Sequence, residues 1–98
     1  MKLKEYVINN RRYLHQHPET GFHCPKTSAY IKAQLEAIGV DKIYEVGKHS
    51  LVAVIKNGEG LITGLRADFD ALNMPEETDL PFKSVNKGKM HACGHDAH

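Results

Sequence analysis

The chain has 98 residues, with 13 Lys+Arg against 12 Asp+Glu and a formal net charge of +1. With 41% hydrophobic and 26% charged residues it has the balance of an ordinary globular chain, which excludes a disordered tail. The near-neutral charge excludes a nucleic-acid partner held by bulk positive potential.

No stretch approaches the roughly 18–20 consecutive apolar residues that a membrane span needs, so no membrane partner is expected. The start, Met1-Lys2-Leu3-Lys4-Glu5, has no apolar run of the signal-peptide kind, and the expected location is the cytoplasm. One small domain at most fits this length, and such a chain buries only about 60–65% of its unfolded surface. Two cysteines, Cys24 and Cys93, are too few for a disulfide framework and read as free thiols or metal ligands.

The first predicted element is a helix over roughly 3–15, where Leu3, Tyr6, Val7, Tyr13 and Leu14 follow one face. Pro18 stops it and Gly21 reinforces the break. A second helix begins at Pro25, which suits a first turn. It repeats apolar residues at Ile31, Leu35 and Ile38 and closes at Gly39, where a left-handed cap is expected.

The period then changes. Lys42 to Val46 alternates loosely, Leu51 to Ile55 is a β-branched apolar run, and Asn57-Gly58-Glu59-Gly60 reads as a turn before a third strand over Leu61 to Leu65. The second and third strands are expected to pair as a hairpin, with the second buried on both faces. Two helices followed by β-strands make an α/β arrangement. Beyond Arg66 the regular pattern gives way to loop, and the chain ends at His98 inside its richest chemical motif. It reads as the truncated front of a larger protein.

That motif is His91-Ala92-Cys93-Gly94-His95-Asp96-Ala97-His98. In an extended conformation His91, Cys93 and His95 would share one side, and Gly94 would let the backbone turn between thiol and imidazole. Cys93 and His95 could then meet one ion or two neighbouring ions, and Asp96 could accept a proton from an imidazole N–H and fix its tautomer. A lone Cys-x-His is not a complete zinc site, so a polar loop of chance composition stays open. So does Cys93 as a nucleophile with His91 or His95 as base.

A second signal, Leu65 to Leu72, places Asp68 and Asp70 at the exit of the predicted third strand. They could bind a metal or hold a ligating histidine, or form a solvated acidic turn with Arg66 paired to one of them. A third, His15 to Phe22, is polar site furniture at a helix end or a helix stop that packs Phe22 inward. Glu76 and Glu77 are expected in solvent, and His49 and Cys24 have no partner legible in the sequence.

Together the segments His17 to Phe22, Leu65 to Leu72 and Met90 to His98 resemble the metal-dependent amidohydrolases that include hippurate hydrolase, N-acyl-amino-acid amidohydrolases and indoleacetyl-amino-acid hydrolases. These belong to the aminoacylase and carboxypeptidase superfamily. The resemblance runs in order along nearly the whole chain. Two positions depart from the family pattern: Phe69 stands for the usual Met, and Asn73 for the usual proline.

The resemblance implies that residues 1–98 are the N-terminal portion of a zinc-peptidase-like α/β catalytic domain, the lid and dimerisation domain lying elsewhere. It implies Cys93 and His95 as ligands of a two-metal centre, zinc or else manganese, cobalt or nickel, with Asp70 and Asp68 beside the metals and Asp70 the orienting aspartate. The general-base Glu and the remaining ligands lie downstream of this segment in the family. The implied substrate is a small N-acyl amino acid, hydrolysed at its amide bond, in a protein that is homo-oligomeric at full length. Alone, 98 residues with two ligands and no base are expected to be inactive. The rival expectation is a small non-catalytic metal-binding or interaction module.

Overall fold

The computed structural model describes residues 2–98. Two helices come first, α1 over Leu3–Gln16 and α2 over Pro25–Ile38. They run antiparallel and meet through tyrosines. The Tyr6 hydroxyl donates to Gln34 Oε1 at 2.7 Å, the Tyr30 hydroxyl donates to Asn10 Oδ1, and the Tyr13 and Tyr30 rings stack at 4.0 Å.

As expected, α2 opens on Pro25 and closes on Gly39, whose φ of 90° lies in the left-handed region that a Cβ disfavours. No side chain at Cys24 caps its first turn. The carboxylate of Glu19 does so from outside, accepting the N–H of Thr27 at 2.5 Å and of Lys26 at 3.3 Å. This answers amides that have no partner inside the helix and puts negative charge at its positive end.

Two strands follow, β1 over Lys42–Val46 and β2 over Ser50–Val54, paired antiparallel with Ile43 opposite Ala53 and Glu45 opposite Leu51. The hairpin therefore joins the first and second predicted strands across Gly47 to His49, a correction to the expected pairing of the second with the third. Leu61 to Leu65 forms no strand, and Leu61, Ile62 and Leu65 are all about fully exposed at 102%, 99% and 98%. The β-branched composition of this run favours extended backbone, but a strand exists only where a neighbour supplies ladder bonds.

The expected two-sided burial of the second strand also fails. Val52 is half exposed and Ile55 is 70% exposed, because the sheet has only two strands. Phe22, expected inside, is 93% exposed.

Residues 55–98 run without further strands, tied down by two isolated bridges, Thr20 with Ala71 and Leu72 with Met90. The molecule measures 49 × 33 × 20 Å with a radius of gyration of 14.7 Å, against about 13 Å for a compact chain of this length. Among the described residues the buried apolar side chains are Pro18, Cys24 and Ala71, while His15, Thr27, Ser28, His91 and Asp96 are buried and polar. The fully buried side chains are therefore mostly polar, with His15 and Asp96 bonded to each other. No described helix is long and apolar enough to cross a membrane.

Candidate metal centre

The Asp68–Asp70 segment is carried to the terminal loop by backbone bonds. The Ala71 N–H donates to the Glu19 carbonyl at 2.7 Å, and Leu72 and Met90 exchange two N–H to C=O bonds at 2.9 Å. Ala71 is only 4% exposed, small enough to let the two segments close on it. Asp70 thereby comes against His95, whose Nδ1 donates to Asp70 Oδ1 and to the Asp70 carbonyl, both at 3.0 Å. With that nitrogen engaged, Nε2 is the ring atom left to face a cation, the arrangement by which a carboxylate fixes the tautomer of a ligating histidine.

One ligand atom each from Asp68, Asp70 and His95 lies within 4.8 Å of the other two. Two carboxylates and an imidazole make a donor set that suits a divalent cation. Asp68 also pairs with Arg66 at 2.7 Å, the acidic-turn contact that sequence had offered as an alternative. The Asp68 carboxylate is thus shared between a cation-binding cluster and an exposed guanidinium.

The terminal segment is not extended. Gly94 has φ of 97°, and its carbonyl accepts the N–H groups of Ala97 and His98 at 3.1 Å, closing a turn. The expected alternation of His91, Cys93 and His95 onto one side is corrected accordingly: His91 is 4% exposed while Cys93 is exposed. Cys93 stands outside the group formed by Asp68, Asp70 and His95, its thiol open to solvent two residues before His95. Burial pushes the His91 imidazole below its ordinary value, with the nearby His15 and His95 acting in the same direction against Asp96 and Asp70. Neither ring nitrogen of His91 has a hydrogen-bond partner among the described residues. A buried imidazole left in that state fits a site with a further group to receive.

Asp96 does hold an imidazole, as its position suggested, but the ring is that of His15 on α1, at 2.8 Å. Glu76, expected in solvent, has a side chain only 2% exposed and faces the other nitrogen of the same ring. Burial raises the Glu76 carboxyl. Hydrogen bonds from Thr78, the Ser84 backbone and His15, with the charge of His15, outweigh burial and bring it down to about 2. Nothing local in the sequence marks His15 and Glu76 as partners 61 residues apart.

Cys24 is buried, and its N–H donates to His49 Nδ1 at 3.0 Å, so these two residues do have partners. Burial, and secondarily the charges of Glu19 and Asp70, push the Cys24 thiol up to about 11.

Residues 64–98 match the model of peptidase family M20/M25/M40. The chain is 45% identical over 97 residues to an N-acetyldiaminopimelate deacetylase of Bacillus pumilus (strain SAFR-032), covering 97% of this chain and 26% of that protein. It is 42% identical over 94 residues to the IAA-amino acid hydrolase ILR1-like 4 of Arabidopsis thaliana, covering 96% and 21%. Its fold is similar to the crystal structure of the Bacillus subtilis YXEP protein, described as a dinuclear metal-binding peptidase of the M20 family. That likeness has a TM-score of 0.88 and 44% identity, and covers 94% of this chain and 26% of that one. The chain thus spans about a quarter of the length of the relatives it matches. In its motifs, its matched residues and its backbone the chain is similar to a segment of peptidase M20 family proteins, as the resemblance implied.

Proposed function

We propose that this segment supplies part of the cation site of an M20-type hydrolase that cleaves the amide bond of an N-acyl amino acid. The observation that carries the reading is the hydrogen bond from His95 Nδ1 to Asp70, which prepares the opposite ring nitrogen as a ligand. Cys93 and His95 are the proposed ligands. Asp70 orients His95, and Asp68 stands within reach of the same cation. A thiolate and an imidazole suit zinc, with manganese, cobalt or nickel as the alternatives. Bound there, a pair of divalent ions supplies Lewis acidity toward the amide carbonyl and lowers the pKa of a shared water toward about 7. What this chain contributes is the fixed position of the ligands and the carboxylates that neutralise the charge beside them.

The segment is proposed to work as the first portion of a catalytic domain and to be inactive alone. Leu61, Ile62 and Leu65 are bare along an extended run, and the relatives are about four times longer. An apolar ladder with no neighbour is what a strand looks like when its sheet is incomplete. The activities for which these relatives are named, deacetylation and hydrolysis of an amino acid conjugate, both break an amide at an acylated amine. They support the N-acyl amino acid class for this chain.

The test replaces the corresponding segment of the Bacillus subtilis relative with these 98 residues and supplies zinc or manganese. Hydrolysis of hippurate or N-acetyl amino acids by the hybrid, lost in Cys93→Ser and in His95→Ala, is expected. Retained turnover in both variants would overturn the ligand assignment. Turnover by the 98-residue chain itself, abolished by Cys93→Ser, would overturn the proposal that it is inactive alone.

A further inference from the structure

A buried line of charged groups lies behind the candidate site. Asp96, the residue after His95, has a side chain 1% exposed. Its Oδ2 lies 2.8 Å from His15 Nδ1, within hydrogen-bond distance, and forms an ion pair with Arg11 Nε at 2.9 Å. On the far side of the imidazole, His15 Nε2 donates to Glu76 at 3.1 Å, and Glu76 also accepts the Ser84 N–H at 2.8 Å and the Thr78 hydroxyl. Each ring nitrogen of His15 thus lies within hydrogen-bond distance of a carboxylate oxygen. Arg11 and His15 are one turn apart on α1 and grip the same carboxylate oxygen.

This arrangement has a mechanical consequence. Charges taken this far from water are tolerated only while their partners stay in place, so the line resists displacement of any member. The interior holds little apolar material to do that work instead. At the terminal loop the other recorded ties are the Leu72–Met90 bridge, the turn closed on Gly94 and the bond from His95 to Asp70. The Asp70 bond, made through Nδ1, fixes the rotation of the His95 ring. The grip on Asp96 by His15 and Arg11 ties the next residue of the same backbone to α1.

We propose that His15, backed by Glu76, is a positioning residue for the cation ligands. By holding Asp96 together with Arg11, it holds the backbone that carries His95 and, two residues before it, Cys93. The inference rests on the metal-centre reading above.

Cobalt(II) is titrated into the 98-residue chain and into its His15→Gln and Arg11→Gln variants. The thiolate-to-cobalt absorption reads affinity, and nitrogen–proton NMR reads the His95 ring before metal is added. His15→Gln is expected to lose about tenfold or more in cobalt affinity, within the range seen when a ligand's outer partner is removed. Its His95 ring signals should already have moved in the metal-free chain, with helix content unchanged by circular dichroism. Arg11→Gln, which takes away a half-exposed donor, should do the same to a smaller degree. A folded His15→Gln chain whose His95 signals stay at their original positions would overturn the inference, whatever its cobalt affinity. Should the unaltered chain take up no cobalt, its two ligands do not hold a cation without the rest of the site, the hybrid enzyme decides the metal-centre reading, and the His95 signals alone decide the positioning. Should His15→Gln fail to fold, Arg11→Gln decides by the same two readouts.

Discussion

Glu76 offers the sharpest test of whether hydrogen-bonded charge stabilises this molecule. Its carboxyl stands at about 2, against 4.5 for a free glutamate, and each unit of such a shift corresponds to about 1.4 kcal/mol. Taken whole, the shift is worth about 3 kcal/mol. The molecule is only 20 Å thick along its shortest axis, and water so near the network screens part of the interaction, leaving about 1–2 kcal/mol.

The sign follows from a folded value below the unfolded one. The stabilisation is fully present above about pH 5 and drains away as pH falls through 4.5 toward 2. Urea unfolding of the chain and of Glu76→Gln, followed by circular dichroism from pH 6 down to pH 2, measures it. The variant should be less stable by about 1–2 kcal/mol at pH 6, and the two should converge near pH 2. A gap that stays constant across that range, or no gap at pH 6, would refute the account of what holds Glu76.

The remaining expectations concern the helix cap, the tight turn and the thiols. Removing the carboxylate that answers the first amides of α2, by Glu19→Ala, should cost about 1 kcal/mol in thermal or urea unfolding. Glu19→Gln should cost less, since an acceptor remains. Gly94→Ala meets no neighbour within 4 Å but puts a Cβ on a backbone with φ of 97°. It should therefore destabilise by about 1–2 kcal/mol through conformation alone, read from the same unfolding curves. Ellman's reagent should find one fast thiol in the native chain, the exposed Cys93, absent in Cys93→Ser. Cys24, buried and pushed up to about 11, should react only after denaturant is added.

What the chain alone determined is what depends on neighbours in sequence. The 3–4 residue recurrence of apolar side chains, Pro18 and Pro25, and the glycine at 39 delimit both helices, because helix bonds and caps close within one turn. The run from Met90 to His98 pointed toward cation chemistry for the same reason, but the group that the fold assembles joins His95 to Asp68 and Asp70 from elsewhere in the chain.

Tertiary structure decided everything that links distant residues. Leu61 to Leu65 has the composition of a strand and no ladder, since a strand's bonds belong to a partner elsewhere. Asp96 reached across 81 residues for His15, and Glu76 left water for the other side of that ring. Burial turned two ordinary polar side chains into the braces of a candidate metal loop. No local pattern encodes those pairings, because a carboxylate takes its partner from whatever the folded backbone brings within 3 Å of it.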